Sequence, residues 1–373
     1  MLVTNSSDFE IFLVAAPGFE ATLLAEAQQL KFNAPVLIPG GVTIRGHWRD
    51  VWRANLELRG ASRILARIGS FRALHLAQLD KRARKIPWSE TLRADVAVRV
   101  EATCKSSRIY HGGAAAMRIA TAIREELGAP VTDDATLIIK VRLEDDLCTI
   151  SVDTSGESLH KRGHKHATGK APMRETLASL FLRECGFDGT GPLVDPMCGS
   201  GTFVIEAAEI ALDLKPGRTR TFAFEQLATF NAAQWSKMRE AGQGLTPTVV
   251  FHGSDRDSGA IRNALANAAR AGVTACTLFK QHAISDLYPP AGPPGLVIIN
   301  PPYGTRIGNK KPLHDLYAAL GHTLLTRFPG WRVGLVTTDP SLAKSTGLPF
   351  GPKTLRASHG GLWVDLFQTR QLT

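Results

Sequence analysis

Apolar side chains recur along this chain at two spacings, and the order in which the spacings alternate predicts its organisation. Residues 11–14, a turn at Pro17-Gly18 and the amphipathic run 19–30 read as strand, turn and helix, with a further strand at 42–45. Residues 95–102 alternate apolar and polar positions as a half-buried strand does. A helical period follows over 114–127, and two strands, 137–143 and 147–153, are joined by Glu144-Asp-Asp146. Beyond residue 171 the strands become short and apolar, and the first two are each followed by a helix. A helix starts at 171–180 with proline near its first turn. Strand and helix then alternate at 193–195 and 203–212 and at 248–251 and 258–271, with further strands at 276–280, 296–299 and 333–337 and a closing pair at 354–357 and 362–368. Short apolar strands separated by helices are the pattern of a parallel sheet covered on both faces, so an α/β domain is expected here behind an α+β half.

Three strand ends in the second half carry polar chemistry. Pro301-Pro302 end the strand 296–299 and leave Asn300 at its carboxyl edge, where ligands bind in open parallel sheets. The asparagine oxygen and the Pro301 carbonyl, which has no N–H at Pro302 to occupy it, can accept both hydrogens of an exocyclic NH2 on a nucleobase. Tyr303 offers a ring on which that base can stack. A strand and a Pro-Pro turn without any ligand would look the same, and a second strand end weighs against that reading. Residues 193–195 end in Asp195, and Pro196-Met-Cys198-Gly199-Ser-Gly201-Thr202 form a turn of mostly small residues ahead of a helix. Glycines let a ligand approach the backbone, and the helix N-terminus favours an anionic group. A dinucleotide fingerprint would need glycine where Val204 stands, and an acid before the glycines repels a pyrophosphate. The acid suits a ligand that carries an ammonium, and S-adenosyl-L-methionine has an ammonium, a sulfonium and a carboxylate. At the third strand end, Asp255 of Ser-Asp255-Arg256-Asp257 can accept from both hydroxyls of a ribose, and Asp257 reads as the cap of the next helix. Gln281, His282 and Asp286 stand as alternatives for an adenine contact, or as plain loop residues.

Asp195-Pro-Met-Cys-Gly-Ser-Gly-Thr202 together with Asn300-Pro-Pro-Tyr-Gly304 resembles the THUMP-containing class I methyltransferases that make N2-methylguanosine in RNA. Within them the chain is most similar, over nearly its whole length, to the 23S rRNA guanine-N2 methyltransferases, including the first half of the fused two-domain enzyme of some bacteria. The resemblance implies a seven-stranded Rossmann-like sheet over 171–373, S-adenosyl-L-methionine as cofactor and an RNA guanine as acceptor. It also implies a ferredoxin-like unit at 1–60, a THUMP RNA-binding domain at 61–156 and a linker at 157–170. It assigns the chemistry to Asn300, Pro301, Pro302 and Tyr303, and cofactor binding to Asp195, Pro196, Cys198, Gly199, Gly201, Thr202, Asp255 and Arg256, with His282 and Asp286 from the loop. Phe222, Phe224, Glu225 and Trp235, in an insertion at 215–247, match a segment typical of the family and read as local core covering the sheet. Rival readings are a tRNA guanosine, an adenine N6 amine, and a non-catalytic RNA-binding or ribosome-assembly protein. Intact Asp195, Gly199, Gly201 and Asn300 weigh against the last.

Charge adds a partner. Residues 45–108 hold fifteen Lys and Arg against six acids, nearly the whole net charge of +10, and such an excess is a footprint for phosphates. Any single member of Lys81-Arg-Ala-Arg-Lys85 reads more simply as a solvated helix face. Arg306 and Lys310-Lys311 are placed to meet phosphates flanking the target base. His160, His164 and His166 lie in a polar run with no Cys or carboxylate at ligand spacing, so phosphate contact or solvation is expected there and no metal. Five cysteines without a CxxC pair predict neither a disulfide framework nor zinc, and suit a reducing, cytoplasmic setting. Neither a targeting signal nor a membrane-spanning run is read, and 373 residues predict two or three domains.

Overall fold

The computed structural model describes residues 8–166, 173–241, 244–245, 249–303, 311–352 and 354–373. In chain order its first elements are β1 (Phe9–Val14), α1 (Glu20–Gln29), β2 (Val36–Ile38), β3 (Gly41–Gly46), α2 (Trp48–Glu57), β4 (Arg63–Arg72), α3 (Leu76–Ala83), β5 (Val98–Lys105), α4 (Gly112–Leu127), β6 (Leu137–Glu144) and β7 (Leu147–Asp153). There follow α5 (Glu175–Glu184), β8 (Leu193–Asp195), α6 (Thr202–Ala211), α7 (Ala232–Glu240), β9 (Phe251–Asp255), α8 (Ser258–Ala271), β10 (Thr277–Gln281), β11 (Leu296–Ile299), α9 (Lys311–Arg327), β12 (Arg332–Thr337), α10 (Pro340–Ser345), β13 (Leu355–His359) and β14 (Leu362–Gln368). Two units share these elements. One comprises residues 1–15, 23–159 and 217–241, the other 16–22, 160–216 and 242–373. Among the described residues no helix is long and apolar enough to cross a membrane.

The first unit is built on one seven-stranded sheet in the order β2-β3-β1-β4-β7-β6-β5. Its centre, β4, pairs with β1 on one edge and, with a register shift between Arg67 and Gly69, with β7 on the other, so one sheet runs on past residue 60. This strand lies inside the stretch first read only for its charge. Ile64, Ala66 and Ile68 are buried and alternate with half-buried Arg63, Leu65 and Arg67, the period of two that a strand requires. The arginines are answered locally: Arg63 donates to Asp153 at 2.6 Å, and Arg67 pairs with Glu10. Arg84 likewise bonds Asp80 on its own helix and Glu125 and Glu126 on α4. Part of the basic excess is therefore held in ion pairs, several to acids outside residues 45–108, and the phosphate footprint is smaller than the count implied.

The segment expected to cover the second sheet belongs instead to this first core. Phe222, Phe224 and Trp235 are buried with Trp52, Leu56 and Leu79. Phe224 stacks on Trp52 with ring centroids 6.0 Å apart and meets Trp235 edge-on at 5.0 Å. Large aromatic rings bury enough surface to draw an insertion into whichever core has room for them. Truncating Phe224→Ala should therefore cost about 3–5 kcal/mol of stability, lost from the transition that reports the first unit in chemical denaturation. A change below about 1 kcal/mol would show that the insertion is not part of that core.

The second unit is a seven-stranded sheet in the order β10-β9-β8-β11-β12-β14-β13. Strands β10, β9, β8, β11 and β12 run parallel, and β14 is antiparallel to both of its neighbours. Apolar residues on both faces of these strands explain the short continuous runs in the sequence. Leu193, Leu296 and Ile298 face a core with α5, α6 and α8, while Val194, Val297 and Ile299 face another with α9 and α10. The helices that follow the adjacent strands β8 and β11 therefore lie on opposite faces. A crevice opens between their carboxyl ends, the place where open α/β sheets bind ligands.

Candidate functional site

The crevice collects the residues singled out at the three strand ends. Val194 is paired with Val297 on one side and with His252 on the other, so the register carries Asn300 and Asp255 each two residues beyond the row of Asp195. Asp195 is 2% exposed. Its Oδ1 accepts the Met197 N–H at 3.1 Å, and no cation is paired with it among the described residues. Burial, reinforced by the nearby Asp255 carboxylate and only partly offset by that one hydrogen bond, pushes its carboxyl up to about 8. The same burial pushes the Cys198 thiol well up, so it is an inert packing group.

Gly201, with φ of +84°, caps α6, and a Cβ there would stand 3.0 Å from Ala264 and 3.1 Å from the Phe279 ring. Only glycine combines that backbone with that clearance. Gly199 donates its N–H to Asp255 Oδ2 at 3.1 Å, while Asp255 Oδ1 accepts from the Asp257 N–H at 3.0 Å. Asp257 caps α8 through the Gly259 N–H. Thr202 begins α6 and is buried, as is Pro196. His282 donates its backbone N–H to the Asp255 carbonyl at 3.2 Å and so stays with the site. Arg256 is exposed, and Asp286 lies on an exposed turn where it accepts from Ser285. The structure thus gathers Asp195, Gly199, Asp255 and His282, and leaves Arg256 and Asp286 at the surface.

On the acceptor side, Asn300 is half-buried and its side-chain oxygen is buried without a hydrogen-bond partner among the described residues. A buried acceptor left open costs stability unless a donor arrives. Pro301 is buried, Pro302 is exposed and Tyr303 is half-buried. The Tyr317 hydroxyl, on α9, donates to the Pro302 carbonyl at 3.4 Å and lies 3.3 Å from the Thr337 hydroxyl, which holds the turn from behind. Gly304, Arg306 and Lys310 lie outside the described residues, as do Ala171 and Pro172 of the segment expected against the cofactor. Lys311 opens α9 and is exposed.

Residues 160–166 correct a second expectation. Arg162 and His164 are buried and Lys165 is half-buried beneath the glycine turn, while Lys161, Gly163 and His166 stay exposed as a solvated run would. Arg162 is 1% exposed and ion-paired with Glu206 and Glu209 of α6. Lys165 donates to Thr202 Oγ1 at 2.8 Å and to the Met173 carbonyl at 2.5 Å, with Glu175 at 3.7 Å. His164 is buried beside Glu209 rather than turned toward phosphate, and its carbonyl accepts from Arg270 at 2.7 Å. Arg270 bonds Asn267, whose amide donates to the Ser200 carbonyl at 3.0 Å. Asn267 and Lys165 thus tie the turn down, and nothing in their sequence setting distinguished them from surface residues. Among the described residues no group of three or more His, Cys, Asp or Glu is placed to hold a metal ion.

A glycine turn at one strand end, a buried unpaired acid before it and a ribose-type acid on the next strand fit S-adenosyl-L-methionine, and they define a methyltransferase of Rossmann-like fold. Residues 162–353 match the RMKL-like methyltransferase domain, and residues 10–65 match the RlmL ferredoxin-like domain. The chain belongs to the RMKL-like family of S-adenosyl-L-methionine-dependent methyltransferases. It is 36% identical over 361 residues to a ribosomal RNA large subunit methyltransferase K/L of Syntrophotalea carbinolica, covering 91% of this chain and 50% of that protein. The chain thus spans about half the length of that relative. It is 30% identical to a putative RNA methyltransferase of Synechocystis, covering 96% of this chain and 95% of that one. A putative methyltransferase solved with S-adenosylhomocysteine superimposes with a TM-score of 0.88 at 27% identity, over 99% of either chain.

The raised Asp195 carboxyl has a consequence for pH. Its pKa rises from an ordinary 3.8 when unfolded to about 8 when folded, so the stability it contributes is full below about pH 4 and is lost as pH rises through 8. Asp195→Asn should remove that slope and make the ligand-free protein about 1–3 kcal/mol more stable at pH 8, while abolishing S-adenosyl-L-methionine binding. Denaturation at pH 5 and pH 8 with calorimetric titration checks both, and an equal loss of stability at the two pH values would refute the unpaired carboxylate.

Proposed function

We propose that this protein transfers a methyl group from S-adenosyl-L-methionine to the exocyclic N2 amine of a guanosine in RNA, with 23S rRNA as the substrate. The observation that carries the reading is the open, buried oxygen of Asn300, two residues beyond the row of Asp195 on the neighbouring strand. An amine that brings two N–H donors satisfies that oxygen and the Pro301 carbonyl together. The names of the relatives, a large-subunit rRNA methyltransferase and a putative RNA methyltransferase, support RNA as the acceptor. So does the basic stretch at 45–108, within a unit whose strands and helices from 61 to 156 we assign as a THUMP-like RNA-binding module.

The bound cofactor supplies an electrophilic methyl on a sulfonium. The chain supplies placement and charge. Asp195 answers a cationic part of the cofactor, and Asp255 accepts from its ribose hydroxyls. The guanine N2 lone pair is delocalised into the ring and is a weak nucleophile. Hydrogen bonds to Asn300 Oδ1 and the Pro301 carbonyl favour the positive charge that grows on nitrogen, and stacking on Tyr303 keeps the amine in line. The N–C bond forms as the S–C bond breaks, and the surplus proton, acidic once nitrogen carries the methyl, passes to water. Tyr303 need not act as a base, because burial pushes its phenol up to about 12. A target inside a helix must leave its stack to reach this crevice.

The reading is tested by transfer of labelled methyl to purified 23S rRNA, 16S rRNA and bulk tRNA, with nucleoside mass spectrometry of the products. N2-methylguanosine should form in 23S rRNA, with Asn300→Ala lowering the rate at least about 100-fold and leaving cofactor affinity unchanged. The same nucleoside in tRNA alone would overturn the substrate. Methyladenosine would overturn the acceptor.

A further inference from the structure

One side chain from near the end of the chain reaches the acceptor loop. His359 is the last residue of β13 and is 9% exposed. Its Nδ1 lies 3.2 Å from the Tyr303 hydroxyl, 56 residues away in sequence. The hairpin that carries it turns on Gly360-Gly361, both at positive φ (+59° and +84°), and pairs His359 with Leu362. Two such residues give the tight turn whose twist matches the flanking strands. The last residue of β12, Thr337, pairs with Asp365, so residues 359–364 stand beyond the end of β12, on the carboxyl edge where Asn300-Pro-Pro-Tyr303 also lies. The outer side of β13 is clasped as well. The Ser358 N–H donates to the Pro17 carbonyl at 3.1 Å, and Gly18 lies so close that a Cβ would come within 2.1 Å of the Arg356 carbonyl oxygen.

We propose that His359 is a positioning residue for the acceptor, holding the Tyr303 ring in the plane on which the target base stacks. This rests on the acceptor reading above. A tyrosine ring anchored only at its backbone can rotate about two bonds; a hydrogen bond at the far hydroxyl fixes the first, and because a phenolic O–H prefers to lie in the plane of its ring, donation toward a fixed acceptor also biases the second. Tyr303 also packs at the margin of both cores of this unit and sits on the turn that Tyr317 supports at Pro302, and its hydroxyl is the polar end that His359 meets. Because the half-buried phenol keeps its proton, it can donate to the imidazole, and His359 is carried on a strand whose backbone is bonded along both edges. Tyr303 thus gains a pre-set orientation before RNA arrives, the condition under which stacking places a reacting nitrogen rather than merely binding a base.

The test combines His359→Phe, His359→Asn and Tyr303→Phe with the double variant Tyr303→Phe/His359→Phe in the full chain. His359→Phe should slow single-turnover transfer about ten-fold and raise KM for RNA, with the Kd for S-adenosyl-L-methionine unchanged. His359→Asn, which offers both an acceptor and a donor near the Nδ1 position, should recover most of the rate. In the Tyr303→Phe background, His359→Phe should change the rate by less than about two-fold, because the pair acts as one unit. Nitrogen NMR of histidine-labelled protein without RNA gives an independent arm. The signal lost in His359→Asn should shift in Tyr303→Phe. Rate losses that multiply in the double variant, an unshifted His359 signal, or a fall in cofactor affinity matching the fall in rate would overturn the proposal. Failure of the guanosine reading shows separately, as a different methylated nucleoside from the wild-type protein, and leaves the NMR arm intact.

Discussion

The site exists because β8 and β11 are neighbours. About a hundred residues of chain separate them, yet Leu193-Val194 and Leu296-Val297 sit side by side, and the helices that follow cover opposite faces of the sheet. Neither helix closes the edge, so the two polar strand ends look into the same opening. The register matters as much as the adjacency. A slip of one residue would turn Val297 and Ile299 onto the other face and carry Asn300 away from the crevice, so the apolar alternation that fills the two cores also aims the amide. Core packing and the placing of the polar strand ends are here set by the same side chains.

Within this unit, buried charges are treated in two opposite ways. Arg162 is wholly inside and is met by Glu206 and Glu209, and Lys165 is met by Thr202, the Met173 carbonyl and Glu175. Each would be costly to bury alone and is nearly neutral in company. Among the described residues Asp195 meets no cation and accepts from the Met197 N–H. A carboxyl that meets no cation among so many paired groups is costly to keep charged, and carboxyls perturbed in this way are frequent at functional sites. Asn300 repeats the pattern with a neutral group.

The parallel sheet was legible because its strands are apolar on both faces and each ends in a residue that breaks the pattern: Asp195, Asp255, and Asn300 before two prolines. The helix 258–271 and its Asp257 cap agreed with the structure for the same reason, since capping chemistry is local. Strand β9 begins later than expected, at Phe251, because His252, Gly253 and Ser254 look like a loop and become a strand only by pairing with β8 and β10. Strand β4 was missed for a different reason. Its arginines drew attention to charge, although Ile64, Ala66 and Ile68 already carried a strand period. The buried part of the run 160–166, namely Arg162, His164 and Lys165, could not have been read at all. Its histidines, lysines and arginine resemble a solvated run, and only partners more than forty residues away, Glu206 and Glu209, turn Arg162 inward. His359 shares that difficulty, since its partner is a loop rather than a neighbour in sequence.

The course of the backbone gives the fold a temporal property. The chain passes between the two units five times, because residues 16–22 leave the first unit for the second and residues 217–241 return from the second to the first. During synthesis, therefore, the first core cannot close when residue 159 emerges. It lacks Phe222, Phe224 and Trp235 until the segment after α6 has been made, and by then β8 and the glycine turn are already outside the ribosome. The amino-terminal half must wait, with Trp52 and its neighbours uncovered, while the cofactor unit begins to form. The two units are thus committed to mature together, and no single cut of the polypeptide would release either one intact.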